Sequence, residues 1–469
     1  MAGSLPAELR SACADVTAAG PADAVGGKQA QYVAAPATTE EAAALLRAAA
    51  GLGLTVVPRG SGGRLDWGQA PARCDLIVDT RRMDQVLEHA AGDQVVVVQA
   101  GIRLDELAKV LATAEQRLAL DVPAGADGTS DSIGGLIATG AAGPLRYRYG
   151  SPRDLLIGIT VVRADGTVAK SGGKVVKNVA GYDIGKLFAG SLGTLGLITE
   201  ATFRLHPLPE AAAWITLNCG DSATAAAAVR AIADSPLAPS AIELSWPSAA
   251  ASISISALVE GDKESVANRS ERMRQLVDRA TAGQSSAQTK RADERPGPRT
   301  PPASDDESDP AGSPADRAVA DVGAAEEAFR VLRPSSDGRG RARIVVQVAF
   351  WAGQLTAVLT AIRAAGEAVA LNPAINGSAG AGVLEVSVPA SAPADTVADL
   401  VAVLRAGLDG LADGLPPSRA SAVVLCAPPA VRDSVDIWGP VPSLALMRAV
   451  KDQFDPEHRM APGRFAGGI

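Results

Sequence analysis

"GGKVVKNVAGYDIGKLFAGSLGTLGLIT", residues 172–199, sets repeated glycines beside three lysines, a Tyr-Asp pair and an apolar tail. Glycine lets a chain turn where a Cβ would clash, or lets the backbone itself approach a ligand. A segment with so much backbone freedom and so little catalytic-looking chemistry points to a place where main chain, rather than side chains, meets a ligand.

Two more glycine-rich elements precede it. "VVPRGSGGRLDWG" reads as a strand ending in Pro58 and Arg59, then a loop of Gly60, Ser61, Gly62 and Gly63. Successive N–H groups in such a loop can form an anion-binding concavity. "PAGADGTSDSIGGLIATGAAG" offers Ser132 as the cap of a short helix beginning Ile133, Gly134, Gly135 and reaching Thr139. A helix start of that kind presents free N–H donors and a favourable dipole to a pyrophosphate. Taken singly, the loop also fits a plain turn, and the helix a small-residue element packed tightly on a neighbour. Two better-known cradles are excluded by spacing. Leu65 stands where a dinucleotide fingerprint counted from Gly60 needs glycine, and no Gly-Lys pair is followed by the Ser or Thr of a P-loop.

At 469 residues, two or three domains are expected. A net charge of −8 without any basic, aromatic-interleaved run argues against nucleic acid as a partner. Cys13, Cys74, Cys219 and Cys426 lie far apart, without zinc or iron–sulfur spacing, so they read as reduced, mostly buried thiols and no metal is expected. The N-terminus lacks the apolar stretch of a signal peptide and no run is long enough to span a bilayer. A cytoplasmic location is expected, with any membrane association peripheral, at the inner face and through partners.

The chain reads as α+β. A helix over "TTEEAAALLRAAAGLG", capped by Thr38 or Thr39, leads to the strand "LTVVP"; "CDLIVDT" and "DQVVVVQAG" are further strands, and "LDELAKVLATAEQ" a helix. Asp165-Gly166 suits a tight hairpin turn. The texture changes near Pro207, giving expected units of 1–210, 211–430 and a returning segment 431–469. Residues 282–318, rich in Pro, Ser, Gly and charge, read as a disordered insertion.

The order strand-P-x-G-x-G loop, S-I-G-G helix start, then G-Y-D-x-x-x-L-F-x-G-S-x-G-T-L-G-x-I-T resembles the FAD-binding domain of the vanillyl-alcohol oxidase/para-cresol methylhydroxylase type. With "GSPRDLLIGITVVRADGT" and the closing "DPEHRMAPGRF", it looks most like the FAD-binding E subunit of glycolate oxidase, across residues 30–210 and 436–466. The resemblance implies a two-subdomain FAD-binding domain with an α+β cap. It also implies that Pro58 and Arg59 to Gly63 cradle the pyrophosphate, that Ser132 to Gly135 and Thr139 cover its other side, and that Gly193, Thr194 and Ile198 line the dinucleotide. Relatives that attach FAD covalently use a histidine in the first loop; "RGSGG" has none, so noncovalent FAD is implied.

Oxidising a 2-hydroxy acid needs a base, a cation for the carboxylate and a flavin near the Cα–H. Metal-dependent relatives bring paired histidines from the cap, whereas this chain has only His89, His206 and His458, none of them in the cap. His89 reads as a surface residue after a short helix, His206 as a packing residue, and His458 as the weak catalytic candidate. Asp183 suits a helix N-cap with Tyr182 packed beside it, and Lys174, Lys177 and Lys186 read as solvated. Trp246, Trp351 and Trp438 are core or cleft residues, and Arg343 is one of several cap arginines able to meet a carboxylate. The leading expectation is a flavoprotein subunit of a glycolate- or lactate-type 2-hydroxyacid dehydrogenase, with a second flavoprotein and an iron–sulfur subunit as partners. A self-sufficient FAD oxidoreductase on another hydroxy acid or sugar-derived alcohol, and a non-redox scaffold, remain the alternatives.

Overall fold

In a computed structural model, residues 5–122, 130–174, 183–292, 343–411 and 420–469 are described. Tyr182 and Lys177 lie outside these residues, as does the part of the expected insertion from 293 onward.

The first sheet orders its strands Val16–Ala18, Tyr32–Ala34, Leu76–Asp79 and Val56–Arg59, the last two junctions parallel. The helix Thr39–Gly51 joins two of them. Thr38 caps it by accepting from the Glu41 N–H at 3.1 Å, and Leu45, Leu46 and Ala49 bury its inner face against Val56, Leu76 and Val78. Leu76–Asp79 is buried at every position, which is why "LIVD" reads as an unbroken apolar run before its acid.

The second sheet is antiparallel, ordered Val168–Gly172, Leu156–Val162, Leu197–Arg204, Val95–Gln99 and Val86–Ala90. The apolar tail of residues 172–199 thus leads into its central strand, Leu197–Arg204. The hairpin at Asp165-Gly166 is present, though only Gly166 takes a positive φ, +79°, and Arg163 and Thr167 close a longer turn at 2.9 Å. Two local expectations change. His89 lies in the strand Val86–Ala90 rather than after a helix, its Nε2 3.0 Å from Gln116 Oε1. "DIGKLFAG" forms only a 3-10 turn over Ile184–Leu187; Asp183 stands at its cap position but spends its carboxylate on Lys186 at 3.0 Å.

The third sheet is seven-stranded and antiparallel, ordered Ala211–Cys219, Ile253–Gly261, Ala241–Trp246, Ala374–Ser378, Val383–Pro389, Arg343–Ala349 and Ser421–Cys426. Alternation in "RIVVQVA" turns Ile344, Val346 and Val348 inward, onto a core shared with the helices Ser222–Ala233, Leu355–Ala368 and Ala394–Asp409. Val431, Val435 and Ile437 belong to this core as well, so the expected division at 431 falls inside it. The helix Lys263–Ala292 runs past the expected start of the insertion at 282: "SSAQTKRA" lacks large apolar residues but keeps good helix formers in Ala, Gln, Lys and Arg, and Pro does not occur until 296. Among the described residues no helix is long and apolar enough to cross a membrane.

Arg117 of the short strand Gln116–Arg117 grips Glu260 of the third sheet through two bonds, at 2.7 and 3.0 Å, and also meets the Tyr149 hydroxyl at 3.1 Å. Burial alone would push the Glu260 carboxyl up; the Arg117 bonds outweigh it and hold it below its ordinary range. A depressed acid contributes stability that is present above its unfolded value, about 4.3, and is lost as pH falls through the folded value. Glu260→Gln is therefore expected to destabilise the chain at pH 7 by ~3–5 kcal/mol, because it strands a buried guanidinium. That deficit should shrink below about pH 4.3, where the unsubstituted chain loses the pair too. Thermal unfolding at both pH values checks this, and a pH-independent deficit would contradict it.

Candidate functional site

The three glycine-rich elements converge. The loop Pro58–Gly63, the helix Ile133–Thr139 and residues 192–198 wall one open pocket, about 710 Å³ when the open solvent within it is included, with Arg464 on one side. Pro58, Arg59, Gly60, Ser61, Gly62, Gly63, Ser132, Gly134, Gly135, Thr139, Gly193 and Ile198 all line it. Ile133 does not, since its side chain is fully buried in the core beneath. Nor does Thr194, whose buried hydroxyl donates to Ser191 O at 2.7 Å.

The closeness of the walls explains the glycines. A Cβ on Gly60 would lie 1.9 Å from Ser132 Oγ. Ser61 and Ser132 exchange bonds across this contact, each N–H donating to the other's hydroxyl, at 3.4 and 3.3 Å. Gly193 turns at φ +78°, and a Cβ there would crowd Pro58 at 3.2 Å.

Where the free donors lie differs from the sequence expectation. The first N–H groups of the helix are already used: Ile133 donates to Ile102 O at 2.9 Å, Gly134 to Ala100 O at 2.7 Å, and Gly135 to the capping Ser132 Oγ at 3.3 Å. Gly134 is required by packing, because a Cβ would meet the Ala100 Cβ at 2.9 Å. The helix thus lines the pocket without offering those three donors. Gly62 and Gly63 instead donate to no partner among the described residues; at Gly62, φ +88°, a Cβ would make only an ordinary contact with Leu65 Cδ1, at 3.9 Å.

Three arginines line the pocket, and two are committed to carboxylates. Arg59 bridges Asp23 at 2.7 Å and Asp79 at 2.9 Å; its bond, reinforced by the Gly20 N–H, holds the Asp23 carboxyl below its usual range. Arg64 pairs with Asp131 at 2.7 Å and lies over the Trp67 ring. Arg464 is different. Only 3% exposed, it donates Nη2 to the carbonyls of Leu65 and Trp67 at 3.1 and 2.7 Å, while its Nε and Nη1 are buried without a partner. Burial, then the neighbouring Arg432 charge, pushes its pKa down to about 10. It stays charged at neutral pH, makes no ion pair among the described residues, and borders the pocket. Buried unpaired donors cost about 1–3 kcal/mol each, a cost that an acceptor reaching those nitrogens would lower. It stands in the same tail as His458, after the Pro462-Gly463 turn; its charge was legible in the sequence, its burial was not.

The remaining candidates lie outside the pocket lining. His458 is half exposed at φ +51°, with Nε2 2.9 Å from Asp452. His206 packs edge-on to Tyr149 at 4.7 Å, and burial lowers its pKa. Lys174 pairs with Glu88. Trp246 lies beneath Arg363 at 3.8 Å, Trp438 stands edge-on to Phe465 at 4.8 Å, and Trp351 is 66% exposed. Arg343 donates to Ser387 Oγ at 3.1 Å. Among the described residues no cluster of His, Cys, Asp or Glu is arranged to hold a metal.

Residues 30–172 match the FAD-binding domain family, so this region is an FAD-binding domain and the cofactor is FAD. The chain is 39% identical over 212 residues to an uncharacterised FAD-linked oxidoreductase of Mycobacterium tuberculosis, 45% of each chain being covered. It is 38% identical over 179 residues to glycolate oxidase subunit GlcD of Bacillus subtilis, covering 38% of this chain and 37% of that one. It is 36% identical over 175 residues to a D-lactate dehydrogenase of Archaeoglobus fulgidus, covering 37% and 38%. The matches thus span under half the length of these relatives. In fold the whole chain is similar to substrate-bound p-cresol methylhydroxylase, with a TM-score of 0.65 at 16% identity over 97% of this chain and 95% of that one. The architecture is the p-cresol methylhydroxylase-type FAD-binding fold with an α+β cap.

The two glycines should respond differently to valine. Gly62→Val, strained at positive φ and intruding on free donors, is expected to purify folded and without flavin. Gly134→Val should instead lower the melting temperature of the apo chain by overpacking against Ala100, at a cost of ~1–3 kcal/mol. Flavin content and thermal unfolding of both variants check this; normal flavin in Gly62→Val, or unchanged stability in Gly134→Val, would contradict it.

Proposed function

We propose that the pocket holds FAD noncovalently, and that the chain is the flavoprotein subunit of a 2-hydroxyacid dehydrogenase complex of glycolate or lactate type. The observation that carries the reading is the pairing of Gly62 and Gly63 N–H groups, without partners among the described residues, with the buried Arg464, which makes no ion pair among them, on one pocket. These groups suit an extended dinucleotide carrying a pyrophosphate. The N–H groups of Gly62 and Gly63 would take phosphate oxygens, and Arg464 would balance negative charge. Gly193 and Ile198 would lie along the dinucleotide. No histidine stands in the first loop, so none is there to form a covalent link.

Bound FAD would supply a two-electron acceptor for the carbinol C–H of a 2-hydroxy acid. The relatives named for glycolate and D-lactate oxidation favour that substrate class. Among the described residues, the ionisable ones lining the pocket are Arg59, Arg64, Asp131 and Arg464, and Asp131 is bound by Arg64. Three of these are arginines and the one carboxylate is ion-paired, so none of them is placed as a general base. This favours a division of labour in which a second flavoprotein carries the base, an iron–sulfur subunit receives the electrons, and this chain's flavin relays them. The chain would then work in the cytoplasm, touching the membrane only through partners, with residues 211–430 serving as its cap.

The test is anaerobic reduction of the bound flavin by glycolate and by D-lactate, with the chain alone and with co-expressed partner subunits. Slow bleaching alone and fast bleaching in the complex are expected. Fast single-turnover bleaching by the isolated chain would overturn the relay and favour the self-sufficient enzyme.

A further inference from the structure

Lys451, in the helix Leu444–Phe454, is wholly buried, as is Asp455. The ammonium spends its three donors on Asp455 Oδ2 at 2.7 Å, Thr194 O at 2.7 Å and Met460 O at 2.9 Å. Asp455 in turn accepts from the N–H groups of Met460 at 2.7 Å and Arg459 at 3.1 Å. The pair therefore binds two separate stretches of backbone. Thr194 belongs to the turn between Gly193 and Gly196, which both line the pocket. Residues 459–461 meet Val56 in an isolated parallel bridge, Val56 N to Arg459 O at 2.8 Å and Ala461 N to Val56 O at 2.7 Å, just ahead of the loop that starts at Pro58. Three residues beyond Ala461 stands Arg464.

Desolvating two charges is expensive, and apolar residues of similar volume commonly fill such a site as stably. Packing alone does not call for an ion pair here. What an apolar pair cannot do is hold two carbonyls and two amides at fixed separation. We infer that Lys451 and Asp455 are positioning residues for the cofactor site, locking the Gly193–Gly196 turn and the Arg459–Arg464 segment together as one wall of the pocket. The inference rests on the proposed seating of FAD in that pocket. The pair is laid down by the sequence as an i, i+4 Lys/Asp couple, "KDQFD", in which neither member reads as more than a solvated helix charge until its burial is seen.

The test compares the full-length chain with Lys451→Met, Asp455→Asn and the apolar double variant Lys451→Met/Asp455→Leu. Each is stripped of flavin, melted, and titrated with FAD by fluorescence quenching. The double variant loses the bonds to four buried backbone groups as well as the ion pair, so it is expected to melt below the unsubstituted chain yet stay folded, and its Kd for FAD, measured well below its melting temperature, is expected to rise about tenfold or more. The second measurement needs no variant: in the unsubstituted chain, FAD should raise hydrogen-exchange protection of residues 193–196 and 459–464 together. Unchanged FAD affinity in a folded double variant, or protection by FAD confined to residues 60–63, would overturn the inference. Failure of the unsubstituted apo chain to bind FAD would instead sink the seating of the cofactor, and the inference with it.

Discussion

The main chain at Gly60 lies against Ser132 so closely that a Cβ there would stand 1.9 Å from the serine hydroxyl. The rest of the pocket depends on that approach. It brings the end of the first sheet onto the start of the helix Ile133–Thr139, and the exchange of bonds between Ser61 and Ser132 fixes the register. One serine oxygen then serves two elements, since Ser132 also caps its own helix through the Gly135 N–H. With the helix's leading N–H groups turned to protein acceptors, the open donors fall to the loop at Gly62 and Gly63.

The C-terminal segment completes what the first two hundred residues begin. Arg459–Ala461 pairs with Val56 at the sheet edge, Gly463 turns at φ +84°, and Arg464 reaches the carbonyls of Leu65 and Trp67. A guanidinium placed there with two unused nitrogens is a standing cost to the empty chain, and an anionic ligand would relieve it. The stability of the FAD-binding domain should therefore be linked to cofactor concentration, rising as ligand occupies the folded state alone.

Much of this was legible in the sequence because glycine is informative where backbones touch. The three glycine-rich elements marked all three walls, and the resemblance they carry agrees with the FAD-binding match over 30–172 and with the p-cresol methylhydroxylase-type fold. What a glycine is for was less legible: Gly134 reads equally as a ligand contact or as a packing contact, and only the position of Ala100 separates the two. Burial of charge was hidden as well. Lys451, Asp455 and Arg464 look like solvated residues of a polar tail, and their roles come from contacts with Thr194, Met460 and Leu65, remote in sequence or out of helical register. His89 went astray because "MDQVLEHAAGD" gives no clear period, and pairing with Val95–Gln99 made it a strand.

The most direct measurement is an experimental structure of the full chain with saturating FAD. The expected result is an extended dinucleotide in the pocket, its pyrophosphate oxygens within hydrogen-bond distance of the Gly62 and Gly63 N–H groups and a negatively charged or acceptor group of the cofactor on Arg464 Nη1 or Nε. FAD seated elsewhere, or a pocket left empty at saturation, would contradict the assignment.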